Sequence, residues 1–184
     1  MAALVAGAIA QPGDRPALLA AVLADRHRAP GPVIAAALVA FVLAGVAAAL
    51  GGALLQGELT PEAGRLFLGL ALGLQGAGGL FPAGALDRLE GWRLGAFGTA
   101  CSGLFILAFA DGLQFVVLAL AATTPMPWTA AAGAAVGAVA VVAAAALLGE
   151  RAWSRLPLLT LRRAGSALFL LAGAVMALQG LRLV

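Results

Sequence analysis

About six apolar stretches, each near the roughly twenty residues that a helix needs to cross a bilayer, follow one another along this chain, with most charges between them. A soluble domain carries about 25% charged and 45–50% apolar residues; here the figures are 10% and 63%, and the mean hydropathy is +1.06. In lipid, every backbone donor and acceptor must be satisfied within the segment or in a closed barrel. Apolar runs this long select helices, so the sequence is that of an all-α integral membrane protein.

The stretches cover about 2–24, Val33–Gln56, Gly64–Phe81, Leu94–Ala122 and Trp128–Gly149, and a last one that follows Arg162-Arg163 and ends near Leu181. Ala29-Pro30-Gly31-Pro32, Thr60-Pro61 and Thr123-Thr124-Pro125-Met126-Pro127 supply turns, and Pro82 closes the third stretch. Gly69/Gly73 and Gly133/Gly137 form two G-x-x-x-G pairs, a pattern of close helix packing. Ala8-Ile9-Ala10 has the form of a signal-cleavage site. No basic residue precedes it, however, so the first stretch is expected to remain as a span. Arg26, Arg28, Arg88, Arg93, Arg151, Arg155, Arg162 and Arg163 fall at one set of ends, against Arg65 and Arg182 at the other. The positive-inside rule then puts both termini outside the cytoplasm. Arginines at segment ends also account for the basic balance without nucleic acid as a partner. Cys101 is the only cysteine; it permits no disulfide within the chain and is read as a small packing residue.

One stretch breaks the apolar rule. Gln11-Pro12-Gly13-Asp14-Arg15-Pro16 sets a carboxylate and a guanidinium inside the first segment. A charge at bilayer depth costs about 2.5–3.5 kcal/mol on insertion scales, so such residues face a polar interior and act there. Pro12 and Pro16 each remove a donor and Gly13 frees the chain, which predicts a broken helix. Broken helices at membrane depth line cavities, and transporters build ion sites on them.

The second half echoes the first. Asp111 lies 97 positions after Asp14, again in the first span of a three-span unit. Leu18–Ala24 is answered by Phe115–Ala121, Gly52 by Gly149, and Leu74-Gln75-Gly76 by Leu178-Gln179-Gly180. Three spans is an odd number, so the second unit must be inverted. The expected organisation is a three-helix repeat over 1–83, a cytoplasmic linker over 84–93, and an inverted three-helix repeat over 94–184. On helical spacing Gln11 and Asp14 share a face, as do Asp111 and Gln114. Two carboxylates and two amide oxygens, with carbonyls freed beside Pro12 and Pro16, make a weak midplane oxygen site for a small cation. Asp14 and Asp111 are the metal candidates; Pro12, Gly13, Arg15 and Pro16 support them. The competing role for Asp14 is an ion pair with Arg15 or another buried donor. Gln75 and Gln179 are read as helix-packing hydrogen bonders and His27 as a loop residue.

On these residues the chain resembles the Gdt-type cation/proton antiporters, the transmembrane protein 165 family (uncharacterised protein family 0016). Its members are two inverted three-helix repeats, each opening with Glu-apolar-Gly-Asp-Lys/Arg-Ser/Thr. Pro12, Gly13, Asp14 and Arg15 match the first motif, while Gln11 replaces its Glu and Pro16 its hydroxyl residue. In the second, Phe109 and Asp111 match, while Ala108, Ala110, Gly112 and Leu113 replace the Glu, Gly, basic and hydroxyl residues. Gln114 matches a glutamine that often follows. The resemblance implies a bacterial cytoplasmic membrane protein, not an enzyme, exchanging Mn²⁺ or Ca²⁺ for H⁺, with no cofactor and with homo-oligomerisation open. Both motif glutamates are absent, and Asp14, Asp111 and Arg15 leave a formal balance of −1, against −2 for a typical family core. Weak handling of Mn²⁺ and Ca²⁺ follows, with a proton, a monovalent cation or another small solute as cargo instead. The alternatives are a transport-inactive partner protein derived from that family, a six-span exporter of another class, and an intramembrane aspartyl protease. The protease would require Gly-x-Gly-Asp, which neither Gln11-Pro12-Gly13-Asp14 nor Phe109-Ala110-Asp111-Gly112 supplies.

Overall fold

The computed structural model describes residues 1–81 and 83–183; Pro82 and Val184 lie outside the described residues. All regular structure among the described residues is helical. The helices are α1 (Ala2–Ala10), α2 (Arg15–His27), α3 (Pro30–Leu54), α4 (Pro61–Leu80), α5 (Gly95–Phe109), α6 (Gly112–Thr123), α7 (Pro127–Trp153) and α8 (Leu158–Gly180). A broken pair, a long helix and a third helix thus follow one another twice. Pro30, Pro61 and Pro127 each open a helix, where the missing N–H is no loss. The Thr60 hydroxyl accepts from Ala63 N at 3.2 Å to cap α4.

By length and apolar content α3, α7 and α8 are candidate membrane spans, and α5 with α6, bent by 64°, makes a fourth. The last apolar helix starts at Leu158, so Arg162 and Arg163 lie inside it and not in the loop before it. The sequence expectation erred because two adjacent arginines read as an interfacial boundary. The run Leu158-Leu159-Thr160-Leu161 ahead of them had already begun the helix.

Each broken pair packs on the long helix of the other half: α1 and α2 lie against α7, and α5 and α6 against α3. The two long helices also touch, and α4 pairs with α8. Alanine fills the seams, with Ala36, Ala40 and Ala44 on α3 and Ala131, Ala134 and Ala138 on α7 all buried. Without a hydrophobic drive in lipid, association depends on close van der Waals approach, which small residues allow. The outer surface carries Leu43, Leu50, Leu70, Phe115, Leu147 and Leu171, all exposed. Such a continuous apolar surface requires lipid, not water. The protein is an integral membrane protein.

Polar contacts gather at two ends. At one, Arg26 donates to the carbonyls of Leu89 at 3.0 Å and Glu90 at 3.1 Å, and Arg88 pairs with Glu150 at 2.5 Å. There the Asp25 carboxylate accepts from Glu150 N at 2.8 Å, where Gly149 (φ 74°, ψ 170°) kinks α7. At the other end Gln56 donates to the carbonyls of Ala121 and Thr124, and Arg182 pairs with Glu62 at 2.7 Å.

Candidate functional site

The first break forms where the sequence predicts it. α1 stops at Ala10, because neither Pro12 nor Pro16 has an N–H to continue the ladder. Gly13 takes φ +78°, and a Cβ there would come within 2.8 Å of the Leu158 carbonyl oxygen. Asp14 is extended and is the N-cap of α2, its Oδ1 accepting from Arg15 N at 2.9 Å. The second break has no proline and was not foreseen. Ala110 ends α5, and Asp111 (φ −78°, ψ 143°) takes the N-cap position of α6. Its side chain caps nothing, which leaves the carboxylate free for other partners.

These backbone conformations overturn one expectation. Gln11 and Asp14 do not share a helical face, because Gly13 and Asp14 between the helices are not helical. Asp111 and Gln114 are likewise an N-cap and a first-turn residue, linked by Gln114 N donating to the Asp111 carbonyl at 3.1 Å. The pairing is crosswise instead: fully buried Gln11 reaches the other break, its Nε2 donating to Asp111 Oδ2 at 3.4 Å.

Asp14 and Asp111 line one cavity of about 360 Å³, together with Arg15, Pro16, Gln75 and Arg162. Gln11 and Gln114 are both buried, and neither Oε1 has a hydrogen-bond partner among the described residues; neither side chain is among those lining the cavity. Pro12 is half-buried at the break. Gln75, expected to serve packing, forms part of the wall, and its side-chain oxygen lies where a Cβ on Gly112 would sit.

Arg162 was missed as a site residue. From the first turns of α8 its Nη1 donates to the Gly13 carbonyl at 2.9 Å and to Asp14 Oδ1 at 3.3 Å. Its Nε donates to the Gly79 carbonyl at 3.0 Å and its Nη2 to the Gly78 carbonyl at 3.3 Å. The last carbonyls of a helix lack partners within it, and a cation there also meets the favourable end of the helix dipole. The Arg162 side chain is only 12% exposed, so it is no surface anchor. One signal could have found it: Arg162, Ser166 and Phe169 recur at helical spacing, and all three line the cavity. Asp14 therefore pairs with Arg162, and the Arg15 guanidinium lies beside Gly84.

The cavity thus holds two carboxylates and two guanidiniums, a formal balance of zero in place of −1. Among the described residues no three His, Cys, Asp or Glu side chains gather as a metal cluster. The arrangement offers one paired carboxylate, Asp14, and one held only by an amide, Asp111. Compared with known proteins, residues 1–86 and 96–183 match the family model described as divalent cation/proton antiporter GDT1. No curated protein and no solved structure matches the chain.

Proposed function

The chain belongs to the GDT1 family of divalent cation/proton antiporters, and from that premise we propose that it exchanges a small cation for protons at the cavity between its two helix breaks. One observation carries this: Asp14 and Asp111, one from each matched stretch, line the same cavity. A carboxylate that holds either a proton or a cation, but not both, couples the two movements. Asp111 suits that role, because Gln11 donates to it without adding charge. Asp14 and Gln11 shape the rest of the site, with Gln114 behind them in the packing.

The membrane arrangement we infer is six spans in two inverted repeats, about 1–83 and 94–184, joined by a cytoplasmic linker. The twofold recurrence of element types supports it, as does the exchange of packing partners between halves. The contacts of Arg26 and Arg88 bring the ends of α2 and α7 to the linker, as that topology requires. Mn²⁺ and Ca²⁺ are the divalent cargoes to try first, and a neutral cavity argues for weak binding of either. The same neutrality favours the second reading, a transport-inactive descendant of the family.

The test is flux into proteoliposomes across a panel of mono- and divalent cations with an imposed pH gradient. We expect gradient-dependent flux that Asp111→Asn abolishes. Flux unchanged by Asp111→Asn would refute this site, and no flux with any cation would select the inactive descendant.

A further inference from the structure

Arg162 has a role that neither the family match nor the antiport reading assigns. We propose that its guanidinium is a tethered cation that occupies the Asp14 half of the site and so sets the charge of the cargo. With Asp14 neutralised, the cavity admits a single positive charge at Asp111 and resists a divalent ion shared by both carboxylates. This rests on the antiport reading of the cavity.

Three observations carry it. The guanidinium comes from α8, a helix of the half opposite to Asp14, and reaches the break with both of its terminal nitrogens and Nε engaged. Its position is fixed by three backbone carbonyls, Gly13, Gly78 and Gly79, as well as by the carboxylate. A side chain so held does not swing away at small cost, because Arg forms its bonds as a rigid planar fork. Both members of the pair line the cavity and are largely shielded, at 12% and 21% exposure. A divalent ion bridging Asp14 and Asp111 would therefore lie beside a fixed positive charge, where water screens little.

The experiment is calorimetric titration of MnCl₂ into the intact protein in detergent, comparing wild type with Arg162→Gln, Arg162→Lys, Asp111→Asn and the double variant Asp14→Asn/Arg162→Gln. Arg162→Gln should tighten Mn²⁺ binding by roughly tenfold or more, since charges a few ångströms apart interact by well over one decade of affinity. Arg162→Lys keeps the charge and loses the fork, so it should bind Mn²⁺ as weakly as wild type even if its melting temperature falls. The double variant removes one charge of each sign and should stay within about threefold of wild type, about 0.7 kcal/mol. That variant needs no unpaired Asp14 in order to fold. A large loss of affinity in it would show that Asp14 already serves as a free ligand, and would overturn the proposal. If Asp111→Asn abolishes binding while Arg162→Gln fails to tighten it, this proposal falls and the antiport reading stands. If Asp111→Asn leaves wild-type binding intact, both fall.

Discussion

Two glycines of one motif should behave oppositely when alanine replaces them. Gly69 and Gly73 make the G-x-x-x-G of α4, and the motif alone treats them as equivalent. A Cβ on Gly69 would come within 2.7 Å of Ala177 N and 2.8 Å of the Gly173 carbonyl oxygen on α8. Ordinary Cβ contacts begin at 3.4 Å, so the two helices would have to part by about 0.7 Å. The neighbours are backbone atoms and cannot turn aside. Opening a packed seam by that much forfeits a quarter to a half of its dispersion energy, and overpacking typically costs about 1–3 kcal/mol. Alanine's better helix propensity returns up to ~1 kcal/mol, leaving a net loss of roughly 1–2 kcal/mol for Gly69→Ala. A Cβ on Gly73 meets nothing within 4 Å, so Gly73→Ala keeps the propensity gain, about 0.5–1 kcal/mol. At roughly 2–4 °C per kcal/mol for a chain of this size, the two variants should melt about 3–12 °C apart in detergent, one on each side of wild type. Equal melting temperatures, or Gly73→Ala as the less stable of the two, would refute the α4–α8 packing as described.

Three further outcomes are expected. Gly149→Ala forces a side chain into a conformation reserved for glycine and against the Asp25 carboxylate; it should cost roughly 2–3 kcal/mol in thermal melts, whereas Asp25→Ala, which removes only the cap on Glu150 N, should cost about 1 kcal/mol. Gln11→Glu places a second carboxylate where Nε2 now meets Asp111 at 3.4 Å, and with Ala108→Glu it restores both motif acids; Mn²⁺ affinity by calorimetry should rise stepwise with each, and unchanged affinity in the double variant would count against the midplane site. Cysteines introduced at Ala2 and Val184 in a Cys101→Ala background should be labelled from the side opposite the 84–93 linker, and labelling of either from the linker side would overturn the inverted topology.

Much of this architecture was legible because lipid imposes strong rules on sequence. Apolar length marks the helices, and Pro12, Gly13 and Pro16 mark the first break through chemistry that no tertiary context reverses. The second break was hidden, since Phe109-Ala110-Asp111-Gly112 contains no proline and one glycine is tolerated within a helix. Only the repeat offset from Asp14 pointed at Asp111. The crosswise contact of Gln11 with Asp111 was also illegible. Helical spacing describes one continuous helix, whereas both aspartates sit at N-caps where that period stops. Arg162 was concealed by the positive-inside rule. With Arg162 and Arg163 both set aside as residues of α8, the arginine imbalance is still six to two, so the expected orientation keeps its basis while the site gains a charge.

That gained charge connects the sequence departures to one another. A cavity holding two glutamates, two aspartates and two basic residues has a formal balance of −2, and away from bulk water such a balance is costly unless cations or protons fill it. Gln11 and Ala108 in place of the glutamates would, with Arg15 alone, leave a single uncompensated carboxylate. The α8 guanidinium closes that gap by pairing with Asp14 at 3.3 Å while also satisfying the carbonyls that the first break and the end of α4 leave open. Those carbonyls need a donor whether or not cargo is present, because backbone groups shielded from water and left unpaired are costly. Arg162 is therefore tied to the fold through Gly13, Gly78 and Gly79 and to the site through Asp14. A substitution that frees Asp14 for a cation by removing the donor altogether also leaves three carbonyls unpaired. Affinity for a divalent ion and stability of the α4–α8 contact are consequently opposed at this one side chain, and only a replacement that keeps a neutral donor at position 162 can gain the first without losing the second.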